Sequence, residues 1–224
     1  MNTIVNCDIE RFVNNFDFID QIKGSVCLIT GATGLIGSTI VHCLHALNQS
    51  NEANVRIVGV VRNIQKAVSI FKGYDDINWV TQDLSSTFEM ELPFVDYIFH
   101  CACPTSSKYY VENPVELIKV SVQGSMSILD YAAKHDVKGM VYLSSCEVYG
   151  NIMDDSVVLT EDKMGYINPI NVRSGYPLAK MMVECLCHSY AKEYGVPVTM
   201  ARLTQTFGAG VSLSDNRVFA QFAK

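Results

Sequence analysis

The chain has 224 residues, 49% hydrophobic and 18% charged, with 17 basic against 23 acidic side chains and a formal net charge of −6. That length holds one substantial α/β domain. The acidic balance argues against a general nucleic-acid or anionic-membrane surface, while an anionic ligand can still bind at a local dipole.

In chain order, Ile9, Phe12, Val13, Phe16 and Ile19 fall at helical spacing and predict a helix over 8–22, a helical extension within residues 1–24 that Gly24 closes. Residues 26–30 (VCLIT) form a continuous apolar run of the kind buried strands show. A glycine loop follows, then a helix over 35–47. Strands are expected at 55–61, 78–81, 97–102, 140–144 and 198–203. Helices are expected at 64–71, 114–135 and 176–194, the second opened by Pro114 in its first turn. Strands alternating with helices imply a Rossmann-type, doubly wound parallel sheet over 25–224.

Eight cysteines include no Cys-x-x-Cys pair, several lie in apolar runs, and charges interrupt the first 25 residues. A reduced cytoplasmic protein without disulfides or signal peptide is expected. No run is apolar enough to span a bilayer. Cys185, Cys187 and His188 stand at i, i+2 and i+3 of a helix and diverge, so they read as packing and not as a metal site.

The loop Gly31-Ala32-Thr33-Gly34-Leu35-Ile36-Gly37 lies between a strand and a helix. Gly31 permits the turn, Gly34 lets backbone approach a pyrophosphate, and Gly37 allows close packing of the helix. The helix N-terminus offers free N–H groups to phosphate. After the second strand, an acidic residue would bind the adenosine ribose of NAD. Arg62 stands there instead and favours the 2′-phosphate of NADP. Asp83 follows the third strand, placed to accept from an adenine amino group.

Tyr176 and Lys180 are one helical turn apart on one face. A phenol is a poor base at neutral pH, and a nearby ammonium lowers its pKa. Ser145 sits at the carboxyl end of the fifth strand, the edge where open α/β sheets bind ligands. Glu147 adds a carboxylate at the same mouth.

These segments together resemble the extended short-chain dehydrogenase/reductases, the NAD(P)-dependent nucleotide-sugar epimerases and dehydratases. The matching residues are GATGLIG (31–37), Asp83-Leu84, HCAC (100–103), SSCEVYG (144–150), YPLAK (176–180) and RLTQTFG (202–208). They occur in the family's order. The resemblance implies dinucleotide contacts at Gly31, Thr33, Gly34, Leu35, Ile36, Gly37, Arg62, Asp83, Leu84, Cys101, Ala102 and Lys180. It implies that Tyr176 takes the proton of a sugar C4 hydroxyl as hydride leaves C4, that Lys180 assists, and that Ser145 holds the reacting oxygen.

Residues 101–124 and the run NPINVRSGYPLAK (168–180) are similar to UDP-glucuronate decarboxylases. The 4,6-dehydratases resemble the chain too, but carry Asp where Cys146 stands, and a thiol is a poor acid for expelling water. The 4-epimerases usually lack an acid at Glu147. An NADP-dependent carbonyl reductase and a non-catalytic dinucleotide-binding fragment are the alternatives. Arg62 departs from the family's usual Asp, Gln205 from its Asn, and Ala209 from its Pro. The small C-terminal substrate domain is expected to be largely missing. The helices at 114–135 and 176–194 would, by resemblance, build a homodimer.

Overall fold

The computed structural model describes residues 3–85, 94–153, 158–208, 211 and 217–222; Ala209 lies outside them. Two helices, α1 (Thr3–Asn14) and α2 (Ile19–Ile22), stand where the spacing predicts one. The break has a local cause. The Asn15 side-chain amide donates to the Arg11 carbonyl at 2.7 Å, the acceptor its own N–H would use in a continuing helix. That N–H turns to the Phe12 carbonyl at 3.1 Å. Phe12, Val13, Phe16, Ile19 and Ile22 still pack on the core.

Six parallel strands form one sheet: β1 (Val26–Thr30), β2 (Arg56–Val61), β3 (Ile77–Thr81), β4 (Tyr97–His100), β5 (Gly139–Ser145) and β6 (Val198–Leu203). Their order is β3-β2-β1-β4-β5-β6, the doubly wound arrangement in which strand order reverses between β1 and β4. Every residue of β1 is buried, as expected of a central strand covered on both faces. Leu28 points into one apolar cluster with Ile98, Ile128, Met140 and Val183; Cys27 and Ile29 point into the other with Val41, Leu44, Leu47 and Ile57. Helices α3 (Leu35–Asn51) and α4 (Ile64–Ile70) run between the first three strands, and α6 (Pro114–Lys134) packs against α7 (Gly175–Tyr194). Among the described residues no helix is long and apolar enough to cross a membrane. All eight cysteines are free thiols.

Two short helices escape the sequence pattern. Helix α5 (Ser107–Glu112) is capped by Ser106, whose hydroxyl accepts from the Tyr109 N–H at 3.4 Å. Helix α8 (Val218–Phe222) lies near the end of the chain.

Strand β4 also ends two residues before the expected 102. The N–H groups of Cys101 and Ala102 both donate to Thr30 Oγ1, each at 3.1 Å, and so leave the ladder. The Thr30 hydroxyl is paired with His100 Nδ1 at 2.7 Å, and His100 Nε2 with Ser125 Oγ at 2.9 Å. Ser125 donates its own proton to the Ser121 carbonyl at 2.6 Å, so it accepts from Nε2–H, and Thr30 donates to Nδ1. The proton directions close without conflict around a neutral imidazole. Burial holds it neutral, pushing His100 down to about 3.

Thr30→Val keeps the shape and strands two N–H groups and one ring nitrogen. It is expected to destabilise the fold by about 2–4 kcal/mol, read as a lower urea midpoint at unchanged slope. A loss within about 0.5 kcal/mol would contradict this assignment.

Candidate active site

The carboxyl ends of β1, β2, β4, β5 and β6 open onto a single cavity of about 810 Å³. Its wall includes every residue that the sequence nominated: Gly31, Thr33, Gly34, Leu35, Ile36, Gly37, Arg62, Asp83, Leu84, Cys101, Ala102, Ser145, Glu147, Tyr176 and Lys180.

The glycine loop is compact for reasons internal to it. Gly31 has φ +65°, and a Cβ there would lie 2.9 Å from the Ala102 Cα. A Cβ on Gly37 would lie 2.3 Å from the Gly31 carbonyl oxygen. Gly37 is therefore required by the loop itself, where the sequence suggested helix–sheet packing. Gly34 opens α3 without a side-chain cap, and no acidic residue stands in its first turn. The first N–H groups and the positive end of the helix dipole are thus left for a ligand.

At the far end, Arg62 and Lys66 line the cavity beside Asp83. Asn63, between the two cations in sequence, is committed to α4, accepting from the Lys66 N–H at 2.8 Å. Asp83 Oδ1 accepts from the Ser85 N–H at 2.9 Å and its hydroxyl at 2.8 Å. Those bonds, with Arg62 nearby, hold its carboxyl below the usual range. Gln205 also lines the cavity.

The third group forms the acid–base end. Tyr176 is 7% exposed, and burial pushes its phenol up to about 12. The Ser145 and Tyr110 hydroxyls act against that rise as hydrogen-bonding neighbours. Lys180 lies on the same face of α7 as Tyr176. Its Nζ donates to the Leu143 carbonyl at 2.7 Å and lies 5.9 Å from the Tyr176 ring centre, nearer the Tyr142 ring at 4.7 Å. Glu147 is ion-paired with Arg173, Oε1 to Nη2, at 2.9 Å. Tyr110, Arg173 and Lys66 were missed as site residues. Arg173 lay in the run 168–180 and Tyr110 in the run 101–124, both of which carry the resemblance, but neither residue was given a role there.

Residues 27–224 match the model of the NAD dependent epimerase/dehydratase family. The chain belongs to this family. It is 33% identical over 198 residues to UDP-glucuronic acid decarboxylase 6 of Arabidopsis thaliana, covering 87% of this chain and 54% of that protein. It is 30% identical over 208 residues to UDP-glucuronic acid decarboxylase 1 of Danio rerio, covering 92% of this chain and 47% of the relative. The chain thus spans about half the length of the curated relatives it matches. The fold is similar to that of a dTDP-glucose 4,6-dehydratase from Streptomyces venezuelae solved with NAD bound (TM-score 0.71, 24% identity, 85% of this chain and 59% of that one). It is likewise similar to a UDP-glucose 4-epimerase from Thermotoga maritima with UDP-glucose (TM-score 0.70, 23% identity, 88% and 61%).

In this epimerase/dehydratase-family chain the site mouth is braced by Glu184 on α7. Its carboxylate accepts from Ser144 Oγ at 2.6 Å, and from Arg202 Nη2 at 2.7 Å and Nε at 3.0 Å. Arg202 also donates to the Glu161 carbonyl at 3.0 Å. These bonds tie β5, β6 and α7 together one residue before Ser145. They hold the Glu184 carboxyl below its ordinary 4.5 despite burial. A depressed carboxyl adds stability above the unfolded value and loses it as pH falls through the folded one. Glu184→Gln should therefore lower the urea midpoint clearly at about pH 7 and much less at about pH 3. An equal gap at both would contradict the ion pair's role.

Proposed function

We propose that this chain is the dinucleotide-binding and acid–base part of a nucleotide-sugar-modifying enzyme that oxidises the sugar at C4. The observation that carries the reading is the convergence, in one cavity, of an uncapped helix N-terminus behind a glycine loop with Ser145, Glu147 and Tyr176 at the other end. The residues present fit a dinucleotide. Gly34 meets only the Gly31 carbonyl oxygen, at 3.2 Å from an added Cβ, so its other side is open to a pyrophosphate. Gly31, Thr33, Gly34, Leu35, Ile36 and Gly37 would hold the phosphates; Arg62, Asp83 and Leu84 the adenosine; Cys101, Ala102 and Lys180 the nicotinamide half. A bound nicotinamide supplies the hydride acceptor and returns the hydride at the end of the cycle. Tyr176 takes the C4 hydroxyl proton, and Ser145 orients that oxygen. Glu147 stands as a second acid–base group for a step at the neighbouring carbon.

The two decarboxylase relatives make UDP-glucuronate the leading substrate: oxidation at C4 creates a β-keto acid, which loses carbon dioxide. Helices α6 and α7 leave Val115, Ile118, Met126 and Met182 exposed, a face through which a second copy would pack as a homodimer. Free thiols suit a reducing compartment, and we place the protein in the cytoplasm.

Mass spectrometry of the full-length protein mixed with UDP-glucuronate and UDP-glucose separates the outcomes. Loss of carbon dioxide is expected; loss of water would indicate a dehydratase, and a chromatographically distinct product of unchanged mass an epimerase. Tyr176→Phe should reduce turnover about 10²–10⁴-fold with an unchanged unfolding temperature. Near-normal turnover would remove Tyr176 from the mechanism.

Cofactor choice has its own reading. The family description gives NAD, but Arg62 and Lys66 present two cations at the adenosine end, and Arg62 occupies the position of a ribose-binding acid. Asp83 opposes them with one negative charge. NAD is expected to bind, as the family description implies, and NADP to bind beside it through Arg62, so that Arg62→Ala weakens NADP by about tenfold with little effect on NAD. Equal titration curves for both dinucleotides before and after the substitution would refute it.

A further inference from the structure

The cations on the cavity wall divide by place. Arg62 and Lys66 stand at the adenosine end, and Arg217 donates to the Thr206 carbonyl at 3.0 Å. Lys180 is held by the Leu143 carbonyl. Arg173 stands at the acid–base end, its guanidinium carbon 5.9 Å from the Tyr176 ring centre.

Arg173 is fixed from two sides. In the turn Val172–Ser174 before α7, its backbone N–H donates to the Asn171 side chain at 2.9 Å. Its guanidinium lies over the Tyr110 ring, 4.7 Å from the centre, a cation–π contact with a side chain only 3% exposed. Tyr110 in turn stacks on Tyr176, 4.4 Å between centres and 8° apart in plane. Tyr110 thus sets the guanidinium at a defined place beside the base.

This guanidinium already carries a carboxylate. Its Nη2 donates to Glu147 Oε1 at 2.9 Å, in a single bond. A guanidinium fork has more donors than one carboxylate oxygen can use. Among the described residues, no other group accepts from the Arg173 side chain. Both side chains line the cavity and are about a third exposed, 36% for Arg173 and 33% for Glu147, so a ligand can reach the unused N–H groups.

A uronate carries its carboxylate on C5, the carbon next to the C4 hydroxyl that Tyr176 meets. A neutral hexose carries a hydroxymethyl group there. A cation beside Tyr176 therefore meets the one group that separates the two sugars, and the arginine fork matches carboxylate geometry.

We propose that Arg173 is the residue that selects an anionic sugar, its unused N–H groups receiving the uronate carboxylate while Nη2 stays paired with Glu147. This rests on the reading of the substrate as a nucleotide uronate. Glu147 acts in two senses. It anchors the guanidinium, and its charge repels the incoming carboxylate and so weakens the hold.

The test is calorimetric titration of the full-length protein with the 4-deoxy-4-fluoro analogues of UDP-glucuronate and UDP-glucose, which lack the hydroxyl to be oxidised. The native protein should bind the uronate analogue more tightly. Arg173→Gln should weaken that analogue by at least about tenfold and leave the glucose analogue within about twofold. Glu147→Gln, whose amide still accepts from Nη2 without the charge, should tighten the uronate analogue by about threefold and leave the other unmoved. A uronate preference that survives Arg173→Gln, or a loss shared equally by both analogues, would overturn the proposal. If Arg173→Gln does not fold, unchanged uronate affinity in Glu147→Gln would overturn it. A native protein without any preference would instead remove the uronate reading itself, and this inference with it.

Discussion

One buried hydroxyl fixes the point on which the cleft depends. Thr30 ends β1, and its oxygen accepts two successive N–H groups from the chain leaving β4 while donating to His100. Parallel strands that diverge at a reversal of strand order leave their last N–H groups without ladder partners, and a buried unpaired N–H is costly. Thr30 resolves this by pulling Cys101 and Ala102 against the glycine loop, so tightly that Gly31 has no room for a Cβ. Floor and loop of the cavity are therefore one rigid unit. The neutral imidazole of His100 extends that unit into α6 through Ser125 and Ser121.

On this base the two ends of the cavity do different work. The loop end presents uncompensated N–H groups and a helix dipole, suited to phosphate. The opposite end presents a phenol that burial keeps protonated, flanked by the Ser145 and Tyr110 hydroxyls and by a carboxylate paired with Arg173. The Glu184–Arg202 pair supports the arrangement from below by fixing Ser144, and with it the direction of Ser145.

Much of this was legible in the sequence, and the misses have physical causes. Strands β1 and β2 read clearly because central parallel strands are buried and apolar, and the edge strands β3 and β6 read from their place in the alternation of strands and helices. The cavity-lining loop and Ser145 were placed by their positions at strand ends, and Tyr176 and Lys180 by their spacing of one turn on a helix. The helix over 8–22 failed because a side-chain amide took a backbone acceptor, which apolar spacing does not reveal. The strand expected to run through 102 was cut short by Thr30, a long-range partner. Tyr110 lay inside the run 101–124, but α5 is six residues long, too short for periodicity to show which of its residues turns to the cavity. Arg62 and Lys66 could be read as cations, but only the fold puts both on the same cavity wall.

The central claim is that this cleft is a dinucleotide site built on the glycine loop. Calorimetric titration of the chain with NAD and with NADP, for the native sequence and for Gly34→Val, tests it most directly. Gly34 has an ordinary extended backbone, φ −79° and ψ 170°, so a side chain there should cost only about 1 kcal/mol of stability while filling the space for the pyrophosphate. Saturable one-to-one binding that Gly34→Val abolishes, with the fold retained, is the predicted result. Binding that survives the substitution unchanged, or no binding of either dinucleotide by the native chain, would contradict the account.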